Sequence, residues 1–200
     1  MNYASFVLIV GYGDKIDIEF EELPEEVQEQ RIKVIIVGDP GAGKQEVAKG
    51  TDICVPFKSL GVSIGKKTNL DKKINYKLTL IFWTLTKGRP KPTTYFNGAG
   101  AAIIVGKINS QKSIKKMRYW AEIIHENIGD IPLFFIGTKN NLATEENRTS
   151  LAALANEYNS FYYILNPPQE DNLKPIYKSI ARRIAHNYCK LLLEPSVPNT

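Results

Sequence analysis

Apolar and polar positions alternate with period two at the start of the chain and then change character. Residues 6–10 are apolar, Gly11-Tyr12-Gly13 has turn composition, and Ile16, Ile18 and Phe20 alternate with Asp17, Glu19 and Glu21. Alternation on both sides of a glycine turn predicts a β-hairpin. Pro24 then starts a short acidic helix or linker. From residue 31 onward the pattern is one of continuous apolar runs separated by helical stripes. Residues 33–37, 101–105 and 133–136 carry runs of the kind that parallel strands buried on both faces require. Residues 61–70 and 76–83 read as two further strands joined by Leu70-Asp71-Lys72-Lys73, and 161–165 as the last.

Helical spacing appears between these runs. A short helix opens at Lys44. Ile114, Met117, Trp120, Ala121 and Ile124 share one face of a second helix, and 145–158 form a third. Ile176, Ile180, Ile184 and Tyr188 line a long final helix, with Asn172 as its N-cap and Pro175 in its first turn. The prolines of Lys87-Gly88-Arg89-Pro90-Lys91-Pro92 forbid a long helix there. Alternating strands and helices predict an α/β fold, with about six mostly parallel strands flanked by helices. The expected organisation is an acidic N-terminal extension over 1–30, a domain over 31–193 and a tail over 194–200.

Composition adds a charge asymmetry. The net charge is only +5, yet residues 14–29 hold eight acidic side chains against Lys15, and residues 66–91 hold eight basic ones against Asp71. Two solvated strand faces account for this. A further expectation is that the acidic extension docks on the basic region, or that the basic region meets an acidic protein or an anionic membrane surface. Nucleic acid is not an expected partner, because no aromatic and basic recognition motif accompanies the lysines.

Cys54 and Cys189 are too few and too separated for a disulfide framework or a metal site. His125 and His186 have no companion at metal spacing and read as structural. No signal peptide, membrane span or C-terminal prenylation motif is evident, so the expected location is cytoplasmic.

The chemistry concentrates in RIKVIIVGDPGAGKQEVAKG, residues 31–50. An apolar strand ends at Gly38, a glycine-rich turn follows, and Gly43-Lys44 opens a helix. That is the order of a phosphate-binding loop, in which backbone N–H groups cradle phosphate oxygens and a lysine reaches the outer phosphates. Gly38, Asp39, Gly41, Gly43, Lys44 and Gln45 are the candidate phosphate-binding residues. The position after the lysine, where Ser or Thr would hold Mg²⁺, is Gln45.

Together with three later motifs, this loop resembles the Ras superfamily of small GTPases, particularly its Rab and Ran branches. The resemblance covers residues 31–190. Ser59-Leu60-Gly61-Val62 is similar to the switch I segment, Tyr95-Phe96-Asn97-Gly98-Ala99 to the element before the fourth strand of that fold, and Ile136-Gly137-Thr138-Lys139-Asn140-Asn141-Leu142 to the guanine-reading Gly-Asn-Lys-x-Asp-Leu. It implies GTP or GDP as ligand, Ser59 as the switch I hydroxyl, and Lys139 and Asn141 at the base. GDPGAGK also resembles the phosphate loop of adenylate kinases, but that likeness stops at the loop.

Departures from the family pattern fall on the chemical positions. Gln45 replaces the metal hydroxyl. Phe82-Trp83-Thr84-Leu85-Thr86-Lys87 stands where Asp-x-x-Gly is expected, and Gly88-Arg89-Pro90 follows where a water-orienting glutamine would sit. Asn141 replaces a carboxylate that would accept two hydrogen bonds from guanine, a loss of about 1.5–3 kcal/mol. Asn166-Pro167-Pro168 replaces the family's Ser-Ala-Lys. The expectation is therefore a pseudo-GTPase: no catalytic residue, no metal site, weak binding of GTP or GDP at most, and protein partners as the working interaction. The alternative is a divergent nucleotide-binding switch.

Overall fold

The pattern of apolar runs builds a single seven-stranded sheet. The computed structural model describes residues 6–9, 17–20, 28–49, 51, 53–57, 61–71, 76–86, 95–139, 143–165 and 170–193. In chain order these are β1 (Phe6–Ile9), β2 (Asp17–Phe20), β3 (Gln28–Gly38), α1 (Lys44–Ala48), β4 (Ile53–Phe57), β5 (Val62–Asp71), β6 (Tyr76–Leu85), β7 (Ala99–Lys107), α2 (Gln111–Ile128), β8 (Leu133–Thr138), α3 (Glu145–Glu157), β9 (Phe161–Ile164) and α4 (Glu170–Leu193). β1 and β2 pair antiparallel, from Phe6 opposite Phe20 to Ile9 opposite Asp17, as the alternation predicts. The Gly11–Gly13 turn, the 87–92 loop and the tail lie outside the described residues.

The large sheet has the order β4-β5-β6-β3-β7-β8-β9. β6, β3, β7, β8 and β9 run parallel, and β4 and β5 add on antiparallel. β4 was not foreseen from the pattern, and it makes seven strands where about six were expected. β3 is also longer than 33–37. Its first residues, Gln28 to Arg31, are polar because they pair with β6 alone, before β7 joins at Lys33, and Glu29 and Arg31 reach water. Glu29 sits opposite Lys77 there, 3.3 Å from it, and the lysine's hydrogen bond and charge hold the Glu29 carboxyl below the ordinary range. This is one contact between the acidic and basic segments, and an exposed pair of this kind adds little stability. α4 begins at Glu170, so Asn172 is its third residue and not its cap, a shift within the usual uncertainty of helix ends.

Side-chain alternation sends the two halves of β3 to opposite layers. Val34 and Ile36 join Phe82, Val47 of α1, and Ile176, Tyr177, Ile180 and Ile184 of α4. Ile35 and Val37 join Ile114, Met117, Ala121 and Ile124 of α2 and Leu151 and Leu154 of α3. Each such side chain contributes about 1.5–3 kcal/mol by leaving water, which is why Ile114, Met117, Ala121 and Ile124 of one predicted stripe and Ile176, Ile180 and Ile184 of the other are buried. Trp120 is only partly buried, and the Tyr188 side chain lies outside the described residues. At the far edge, β9 leaves Phe161 and Tyr162 partly exposed. Phe161 stacks on Phe134, and the Arg183 guanidinium lies over its ring, 5.5 Å from the centroid.

Two tyrosines tie the layers near the carboxyl ends of the central strands. The Tyr95 hydroxyl lies 2.6 Å from the Trp83 carbonyl and 3.0 Å from that of Ile36, so one phenol bridges β6 and β3. Burial pushes its ionisation far above the ordinary phenol range. The Tyr177 hydroxyl of α4 donates to the carbonyl of Val47 and its ring packs edge-on against Phe82. Tyr95→Phe leaves two buried strand carbonyls short of a donor. It is expected to cost about 1–3 kcal/mol in urea denaturation, and a loss below about 0.5 kcal/mol, within the scatter of surface substitutions, would show that the bridge is unimportant.

Candidate functional site

The loop after β3 is shaped by backbone crowding. Gly38 has φ 142°, and a Cβ there would lie 2.0 Å from the Val105 carbonyl oxygen, so only glycine lets β3 run this close to β7. The chain then turns through Asp39-Pro40-Gly41-Ala42, closed by the Ala42 N–H on the Asp39 carbonyl at 3.2 Å. Gly43 adopts φ 91° just before α1, where an L side chain would be strained and would press on Thr138 at 3.2 Å.

Lys44 arches back over this turn. Its Nζ donates to the carbonyls of Gly38 and Asp39, each at 2.8 Å, while its stem is buried under α1. Burial lowers the lysine's pKa, and the nearby Asp39 and Glu46 charges oppose that shift. Thr138, at the end of β8, places its hydroxyl 2.8 Å from the Ala42 carbonyl and 3.2 Å from that of Gly106. The loop is thus strapped to both β7 and β8. Of the sequence candidates, Gly38, Asp39, Gly41, Gly43 and Lys44 come together as expected. Gln45 is exposed on α1.

Three features of this site were missed in the sequence. Lys116 of α2 pairs with the Asp39 carboxylate at 3.0 Å. Lys107, the last residue of β7, brings its Nζ to 3.4 Å from where a Cβ on Gly41 would stand. Thr138 lies inside the guanine-reading segment quoted above but serves the loop through its hydroxyl. A polar residue closing an apolar central strand was the available signal for Lys107, since ligands in open α/β sheets gather at carboxyl strand ends. Lys139 follows Thr138, exposed, with φ 58°, an unusual conformation for a residue with a side chain. Ser59, Asn141 and Asn166-Pro167-Pro168 lie outside the described residues.

The resemblance implies magnesium, and the donor set among the described residues, which do not include Ser59, does not fit it. Thr84 stands at the end of β6, level with Ile36 and on the face of the sheet that α1 covers. It is fully buried, and its hydroxyl has no hydrogen-bond partner among the described residues. A hard divalent cation takes oxygen donors, usually with at least one carboxylate close by. Here the loop's one carboxylate is committed to Lys116, and among the described residues no three His, Cys, Asp or Glu side chains cluster. Because the Thr84 hydroxyl is buried without a partner, Thr84→Val is expected to leave stability unchanged or to raise it by about 1 kcal/mol. Urea denaturation checks this, and a clear destabilisation would mean that the hydroxyl is paired in solution.

Sequence comparison finds the family that the motifs resemble. A model of the Ras family matches residues 89–186. The Ras-related protein RAB1BV of Beta vulgaris is 24% identical over 183 residues, covering 83% of each chain. The GTP-binding protein YPT53 of Saccharomyces cerevisiae is 25% identical over 172 residues, or 76% of each. The Ras-related protein Rab-5B of Plasmodium falciparum is 20% identical over 179 residues, or 86% of each. No helix among the described residues is long and apolar enough to cross a membrane.

Proposed function

We propose that the chain is a Rab-like member of the Ras superfamily of small GTPases that no longer hydrolyses GTP and works as a protein-interaction module. The observation that carries this is Thr84. Phosphoryl transfer in this class depends on a metal and a positioned water, and a neutral, buried hydroxyl stands in the 82–87 segment where the resemblance leads one to expect a carboxylate. Gln45, on the exposed side of α1, supports the same reading. So does the match to the family model, which begins at residue 89, downstream of all the phosphate-facing motifs. The partners are proteins, reached in part through the basic 66–91 region, where Lys66 is exposed. Cys54 and Cys189 suit a reducing, cytoplasmic setting.

Phosphate release from GTP in millimolar Mg²⁺ is the test. Turnover is expected well below the intrinsic rate of a working small GTPase, about 10⁻⁴ per second. A rate at or above that value overturns the proposal.

A second reading has its own observation. The loop is fully formed, with Lys44 reaching across it to two carbonyls, and this geometry favours a divergent switch that still binds GTP or GDP without turning it over.

A further inference from the structure

The sheet has one point where strand order reverses. The chain lays β5 and β6 on one side of β3 and then crosses to β7 on the other. In open α/β sheets the crevice at the carboxyl ends of strands flanking such a crossing is where ligands settle. Two features converge there: the loop that leaves β3 at Gly38, and Lys107 at the end of β7.

Lys107 is held firmly in that place. Its backbone N–H donates to the buried Ser113 hydroxyl at 2.9 Å, its carbonyl accepts the Ser110 N–H at 3.3 Å, and it pairs in register with Thr138. Its ammonium rests against the Gly41 turn yet has no hydrogen bond or ion pair among the described residues. The nearest acid of the loop, Asp39, is taken by Lys116. Lys44 and Lys107 thus both bring their ammonium groups to the loop, while Lys116 holds its carboxylate. A half-buried ammonium with no partner among the described residues is poorly screened, and an anion entering beside it neutralises its charge.

We infer that the loop takes a pyrophosphate-bearing ligand without a divalent cation, and that Lys107 supplies the positive charge that a metal would otherwise bring. Ammonium to phosphate oxygen is a charge-assisted hydrogen bond, and a lysine fixed at a strand end cannot be stripped by a chelator. The inference rests on the second reading above, that the loop still holds a nucleotide. It adds how the phosphates are neutralised and which residue does it.

The experiment is calorimetric titration of the full chain with GDP, and separately with inorganic pyrophosphate, in Mg²⁺ and in EDTA. Both probes are expected to bind, with affinities that agree within about threefold between the two buffers, a difference of well under 1 kcal/mol. Lys107→Ala is expected to weaken both by about tenfold, and Lys107→Arg to restore most of the loss. Lys107→Gln, closer in length, is measured beside them, and thermal melts of all variants separate lost binding from lost folding. Affinity that rises more than about tenfold with Mg²⁺ overturns the inference, as does a folded Lys107→Ala or Lys107→Gln protein that binds like the parent. Binding of GDP without pyrophosphate overturns it too, by moving the affinity to the base. If the folded parent binds neither probe, this inference and the switch reading fall together and the interaction module stands. GTP turnover in Mg²⁺ would remove the proposed function instead.

Discussion

The close approach of β3 to β7 at Gly38 governs everything built above it. The Val105 carbonyl occupies the space of any side chain at that position, so the chain leaves the middle of the sheet with two carbonyls, those of Gly38 and Asp39, turned toward one point. Lys44 caps both, and the Thr138 hydroxyl fastens the other limb at Ala42. The Lys44 contact to Gly38 and the Thr138 contact to Ala42 are buried, and leaving such a polar group unpaired costs about 1–3 kcal/mol. The loop is therefore retained by the requirements of the fold alone. Its glycines and its lysine have a structural purpose before any ligand is considered, and their presence is a weaker argument for nucleotide binding than the sequence motif suggests.

The same accounting explains why the chemical positions have changed while the core has not. A carboxylate placed at Thr84 would be enclosed beneath α1, and an uncompensated buried charge is far more costly than a buried hydroxyl. Without a metal beside it to offset that charge, a neutral residue is the stable choice there. The apolar strand interiors face no such choice. Val34, Ile36, Phe82 and Ile103 are wholly buried, and their exchange for polar residues would be felt in either kind of protein.

Most of the architecture was legible because buried strands and helix stripes write their periodicity directly into the sequence. β4 was not, since Pro56 lies within it and argues against a strand. The order of the sheet resolves this: β4 is an edge strand, exposed at Pro56, where a missing N–H is tolerated. The polar start of β3 was hidden for a related reason, that only its inner half is enclosed. At the site, motif spacing recovered Gly38 to Lys44. It could not recover Lys107, Lys116 or the Thr138 hydroxyl, which approach the loop from β7, α2 and β8, between 60 and 100 residues away in sequence. Contacts of that range depend on strand order, and local patterning carries no information about it.

The two ends of the sheet offer a last consequence. A row of unpaired backbone groups invites further strands, from a neighbour or from another molecule. On one side Pro56 breaks that row. On the other, β9 is only four residues long. A proline at one edge and a short strand at the other leave few unpaired backbone groups for a further strand to join, without the sheet being curled into a barrel.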